Sequence, residues 1–158
     1  MAGYGDDAKF NAWMASNGYS LPAGGVAVAV LRQRGSAYVD GLYGSRFSGR
    51  PTGGFEQERA WPRVGACAHG QSIPSEVVPV AIEQASYHAA YQEAVKPGSL
   101  AVAVTAAGAL KRKKIGPLEK EYFEGSGDAV ADGTLKLSAV EGLLSPFFAV
   151  DLPAIFVV

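Results

Sequence analysis

Six of the chain's seven arginines lie between Arg32 and Arg63, and no lysine lies among them. Asp40, Glu56 and Glu58 are the only carboxylates in that span, so a cationic, glycine-rich segment sits in a chain of formal net charge -1. The guanidinium group is planar and forked. Arginine used in place of lysine therefore points to two-pronged contacts with carboxylate or phosphate. Arg32, Arg34, Arg46, Arg50, Arg59 and Arg63 are interleaved with Tyr38, Tyr43, Phe47, Phe55 and Trp61. Two arrangements suit this pattern. One is a surface that stacks bases and holds phosphates. The other buries Tyr38, Tyr43 and Phe47 and pairs the arginines with carboxylates of a neighbouring protein. A second basic run, Lys111-Arg112-Lys113-Lys114, precedes Glu119, Glu121, Glu124, Asp128 and Asp132. It fits a solvated hairpin balanced by its own second strand, or a contact with phosphate inside a channel.

Other chemistry is thinly provided for. The two histidines, His69 and His88, read as structural. Cys67 and His69 are two ligand types close together, but two ligands do not close a metal site. The stretch from Gly44 to Arg50 echoes a phosphate-binding loop, yet Arg50 stands where lysine is required and Pro51 where the magnesium-binding hydroxyl belongs. The expectation is a protein with no catalytic residues, no metal and no cofactor, hence not an enzyme. The lone cysteine excludes an intramolecular disulfide and fits a reducing compartment. The balance of 14 basic against 15 acidic residues argues against a generic nucleic-acid coat. The polar, acidic start of the chain is unlike a signal peptide. The longest apolar run, Leu100 to Leu110, is about half the ~20 residues that span a bilayer. A soluble intracellular product without membrane contact is expected.

The elements that must position these residues follow from periodicity. Asp6 to Asn17 reads as a short amphipathic helix, with Phe10, Trp13 and Met14 on one face, an aspartate cap and a stop at Asn17-Gly18. Val26 to Phe47 begins like a strand, but its pairs Val26/Val30, Ala27/Leu31, Tyr38/Leu42 and Tyr43/Phe47 favour helix. Ser48 to Ser72 is a long irregular segment, with an extended piece at Glu58 to Arg63. Pro79 to Val95 is the clearest helix. Ile82, Ala85, Ser86, Ala89 and Ala90 give it a face small enough for close packing, and Tyr87 and Tyr91 an adjacent ridge. Leu100 to Phe123 reads as two extended segments that turn at Gly116-Pro117. Ser138 to Leu144 is a short helix with Ser138 as cap and Glu141 completing a capping box. Phe147, Phe148, Ile155, Phe156, Val157 and Val158 make the end of the chain apolar. They would fold back on their own core or reach into an adjacent subunit. The fold class expected is mainly α: a small helical bundle with a β-hairpin or extended arm and an extended C-terminal tail. A single domain over 1–148 carries the arm at about 99–124, and the tail is 149–158.

Ala37-Tyr38-Val39-Asp40, Tyr43-Gly44-Ser45-Arg46-Phe47, Gly49, Gln57, Trp61-Pro62-Arg63 and Ile73-Pro74 resemble, in order and spacing, a tailed-phage family commonly labelled DnaT-like ssDNA-binding protein. Pro79 to Ala94, then Lys114-Ile115-Gly116-Pro117 to Tyr122, then Val140 to Pro146 is similar to head–tail connector (adaptor) proteins, in which a helical subunit forms a ring beneath the portal. The first resemblance implies a single-stranded DNA-binding replication protein. The second implies a structural protein of the bacteriophage virion neck, made in the host bacterial cytoplasm. Its partners would be further copies of itself in a cyclic homo-oligomer of about twelve-fold symmetry, the portal protein, a stopper or tail-terminator protein, and double-stranded DNA passing through the lumen. The adaptor is the preferred expectation. Glycine- and proline-rich loops and an apolar tail suit threading between subunits, and near-neutral charge suits a channel that does not grip DNA. The small-residue helix face suits close packing within or between subunits. On this expectation Arg46, Phe47, Arg50, Trp61, Arg63, Phe147, Phe148 and Phe156 form the subunit and partner interface. Lys111, Arg112, Lys113 and Lys114 are the candidates for DNA contact in the lumen.

Overall fold

Asp6 opens the first helix, its carboxylate accepting a 2.8 Å hydrogen bond from the Lys9 amide in the way a side-chain cap satisfies free first-turn amides. In this computed structural model, residues 2–101, 112–115, 118–121 and 135–149 are described, the pieces 112–115 and 118–121 by backbone alone. The first helix, α1 (Asp7–Ser16), buries Phe10 and Met14 and leaves Trp13 half-buried.

Helix α2 (Val28–Tyr43) starts two residues later than the sequence expectation and stops short of Phe47. The valine-rich start is helical despite the strand preference of valine. Leu31, Gly35, Tyr38, Val39 and Tyr43 share one buried stripe, and burying that stripe outweighs local propensity. Helix α3 (Val80–Val95) follows Pro79, and its expected small face is buried: Ile82, Ala85, Ser86, Ala89 and Ala90. The two long helices touch backbone to backbone. A side chain at Gly35 would fall on the Ser86 carbonyl oxygen and come within 2.7 Å of the Ala90 nitrogen.

Helix α4 (Ser138–Leu144) packs Val140 and Leu144 into the side of α3 and runs into a 3-10 turn at Ser145–Phe147. The expected capping box is corrected here. Leu137 holds the cap position, no side chain caps the helix, and the Glu141 carboxylate accepts from Arg46 at 3.0 Å instead.

Two apolar clusters result. The larger joins α2, α3 and α4 around Val39, Tyr43, Phe47, Trp61, Ile82, Ala85, Ala89, Val140 and Leu144. The smaller seats Phe10 and Met14 of α1 against Leu31, Tyr87 and Ala90. Tyr19, in the connector after α1, stacks on Tyr91 with ring centroids 4.3 Å apart.

The segment expected to be irregular contains two minimal antiparallel pairs. Strand β1 (Arg50–Pro51) pairs with β2 (Arg63–Val64), and β3 (Cys67–Ala68) pairs with β4 (Gln71–Ser72). The extended piece expected at Glu58 to Arg63 is therefore confined to its last residue. Farther on, β5 (Arg112–Ile115) and β6 (Leu118–Glu121) form an antiparallel hairpin that sets Arg112 opposite Glu121 and Lys114 opposite Glu119. Leu100 and Ala101, at the start of the expected first extended segment, lie in the turns that close α3. The rest of that segment before β5 lies outside the described residues. The protein is mainly helical at this level. Among the described residues no helix is long and apolar enough to cross a membrane.

Candidate functional site

Arg63 is the centre of the arginine-rich segment, and it is 6% exposed. Its guanidinium donates to four main-chain carbonyls: Nε to Ser48 at 2.8 Å, Nη1 to Ala60 at 3.1 Å, and Nη2 to Gly49 at 2.7 Å and Phe47 at 3.3 Å. Burial disfavours its charged form and pulls its pKa down. Three of the acceptors, Phe47, Ser48 and Gly49, lie on a turn that glycine at position 49 suits. Gly49 has φ +70, and a side chain there would strike the Val64 carbonyl and the Ala66 nitrogen. Ser48 completes the knot, its hydroxyl donating to the Cys67 carbonyl and accepting from the Cys67 amide, both at 3.1 Å.

Around this knot the aromatic residues close on one another. Trp61 is 2% exposed and meets Phe47 and Phe147 edge to face, at 5.6 and 5.8 Å between centroids. Phe148 lies parallel to Tyr43 and forms a β-bridge with Phe47. Backbone bonds from Ser48 N to Phe147 O (2.9 Å) and from Ala149 N to Arg46 O (2.7 Å) stitch the end of α4 to the loop. Arg46 covers this seam, its guanidinium 3.9 Å above the Phe148 ring and paired with Glu141.

A second node ties the start of the chain to the same seam. The Tyr4 hydroxyl donates to Asp40 at 2.5 Å and accepts from the Trp61 amide at 3.1 Å. Arg59 pairs with Asp40 at 3.3 Å and donates to the Ala2 carbonyl at 2.9 Å. Burial, then the facing Asp40 carboxylate, pushes the Tyr4 hydroxyl far above its ordinary pKa, and burial raises Asp40 despite its two donors. Arg32 is bound by Asp7 at 2.7 Å and by the carbonyls of Gly3, Tyr4 and Gly5. Arg34 donates to Glu93, a buried carboxylate that also accepts from the Gly98 and Leu100 amides and so fixes the exit from α3.

The structure thus brings Arg46, Phe47, Trp61, Arg63, Phe147 and Phe148 together, but inside one subunit. Phe47, Trp61, Arg63 and Phe147, expected to anchor contacts with other subunits, are covered by their own chain. Arg46 and Arg50 are exposed and Phe148 is half-buried. Of the two arrangements open for the apolar end of the chain, Phe147 and Phe148 fold back. Phe156 lies outside the described residues, as does Lys111. Arg112, Lys113 and Lys114 are described only as backbone of β5. Tyr38, Tyr43 and Trp61 do not form a stacking surface, because all three are buried. Phe55 alone among the interleaved aromatics is fully exposed.

Sequence reasoning missed Tyr4, Ser36 and Glu93. Tyr4 is an aromatic between two glycines, a signal that could have been followed. The Ser36 hydroxyl, which accepts from the Tyr4 amide at 2.8 Å, carries none. Among the described residues no group of three or more His, Cys, Asp or Glu side chains could hold a metal ion.

No curated protein and no solved structure matches the chain significantly. A family described as "Putative DnaT-like ssDNA binding protein" matches residues 3–157. That span takes in the helices, the arginine and aromatic seam and the hairpin, and on that match the chain belongs to this DnaT-like family.

Proposed function

We propose that the chain is a structural head-to-tail adaptor of a tailed bacteriophage, a ring-forming subunit between the portal and the stopper or tail proteins. The observation that favours this reading over DNA binding is the internal use of the arginine and aromatic side chains. Five of those six arginines (Arg32, Arg34, Arg46, Arg59 and Arg63) are bonded within the subunit. A protein that grips single-stranded DNA needs those forks and rings free for phosphates and bases. Here they stiffen a helical frame and its loops, which suits a building block. The sequence resemblance of Pro79 to Ala94, Lys114 to Tyr122 and Val140 to Pro146 to connector subunits points the same way. Phage DNA passing through such a ring would meet a protein of near-neutral charge.

A second reading, single-stranded DNA binding, is favoured by the family's description and by the Lys111 to Lys114 run. Fluorescence anisotropy of the full chain with a labelled oligothymidylate, over a series of salt concentrations, separates the two. The adaptor reading predicts weak binding at physiological salt. Tight binding whose affinity falls steeply with salt, as phosphate contacts require, would favour the second reading and sink the first.

A further inference from the structure

The hairpin of β5 and β6 sorts the second basic run by register. Its rungs pair Arg112 with Glu121, Lys113 with Lys120, Lys114 with Glu119 and Ile115 with Leu118. Successive residues of a strand belong to opposite faces, and directly opposed residues share one. One face therefore carries Arg112, Glu121, Lys114 and Glu119, with each cation placed opposite an anion. The other carries Lys113, Lys120, Ile115 and Leu118, and no carboxylate stands at any of those four positions. The register thus separates residues that look alike in the sequence. Lys120, which lies outside the basic run, joins Lys113 on one rung, while Arg112 and Lys114 each stand opposite a glutamate.

Like charges directly opposite each other weaken an antiparallel pair. The sheet has only these two strands, and a two-stranded hairpin by itself is marginally stable. A rung of two lysines is therefore a cost to the hairpin as a fold, and an anion seated over it removes that cost. Lysine acts as a compact point charge that suits phosphate, and a two-stranded ribbon is narrow enough to enter the major groove of duplex DNA. We propose that Lys113 and Lys120 form a site for the backbone phosphates of DNA, on the face that Ile115 and Leu118 complete toward the tip. Two lysines make a shallow, salt-sensitive contact that lets DNA pass. The inference rests on the adaptor reading for the source of that DNA, a duplex moving through the ring.

Fluorescence anisotropy of the full chain at low salt, with a labelled duplex and with a labelled oligothymidylate, tests it. Lys113→Gln, Lys120→Gln, Arg112→Gln and Lys114→Gln each remove one positive charge, so net charge is matched across the four. The parent should bind the duplex with a log–log salt slope of about -1.8, the value for two phosphates. Lys113→Gln and Lys120→Gln should each weaken binding several-fold and reduce the slope by about 1. Arg112→Gln and Lys114→Gln should leave both close to the parent. Lys113→Glu separates the site from the fold: opposite Lys120 it makes a rung of opposite charges, so the thermal melt should not fall although binding is lost. Four glutamine variants that weaken binding equally, binding indifferent to Lys113→Gln and Lys120→Gln, or a parent that binds neither DNA would each overturn the site and leave the adaptor reading standing. Lys113-dependent binding that prefers the duplex supports both. Lys113-dependent binding that prefers the oligothymidylate keeps the phosphate site and counts against the adaptor reading.

Discussion

Arg63 has four carbonyl acceptors and no carboxylate, so its shape matters as much as its charge. Lysine is a point donor at the end of a flexible stem and cannot span acceptors arranged around a fork. Arg63→Ala should destabilise the fold by about 3 kcal/mol, the upper end for losing hydrogen bonds to a charged donor and leaving buried carbonyls unsatisfied. Arg63→Lys should recover only part of that loss. Urea unfolding of the three proteins measures it. The arginine bias was legible in the sequence, but the acceptors were not, because every residue carries a carbonyl and composition does not say which ones converge. Asp40 gives a prediction in pH. Burial raises its folded pKa above the ordinary 3.8, so in the window between the two values the folded state holds more protons than the unfolded one. Stability contributed by Asp40 is then greatest below about 3.8 and declines as pH rises through the folded value, since the slope follows the proton difference. The stability difference between the parent and Asp40→Asn should fall with rising pH across that window. A difference that grows with pH would contradict the burial argument.

At the scale of elements, the contact between α2 and α3 turns on a missing side chain. Gly35→Ala places a methyl group against the Ser86 carbonyl, and overpacking of this kind costs about 1–3 kcal/mol, more than the gain in helix propensity of up to ~1 kcal/mol. Gly41 lies in the same helix with open space at its missing methyl. Gly41→Ala should therefore stabilise by up to about 1 kcal/mol. Thermal melts of the two variants should move in opposite directions, and a common shift would refute the close approach. The small face of α3 was legible because small residues at helical spacing have few other uses. The capping box at Ser138 and Glu141 was misjudged for a local reason. The pattern assumes that the glutamate has no better partner, and Arg46, 95 positions away, supplies one. The short pairs β1–β2 and β3–β4 had no periodicity to announce them. They are two residues long and are held by Arg63 and Ser48 rather than by alternation.

For the whole molecule, the sequence invited two opposite uses of one cationic, aromatic segment, and only the packing separates them. Phe147 and Phe148 close over Phe47, Trp61 and Tyr43, and five of the six arginines bond to their own chain, Arg34 and Arg46 from exposed positions. Among the described residues, the acidic aromatic tip at Phe55 and the side chain of Arg50 are exposed. That inventory favours a part that is assembled into something over a part that clamps a nucleic-acid strand. Quantitative mass spectrometry of particles purified from an infection is the most direct test. The adaptor account predicts that this chain is recovered in the particles at a ring's stoichiometry to portal protein, about one copy for each portal subunit. Particles free of the chain, with the protein recovered instead on single-stranded DNA in the infected cell, would contradict it.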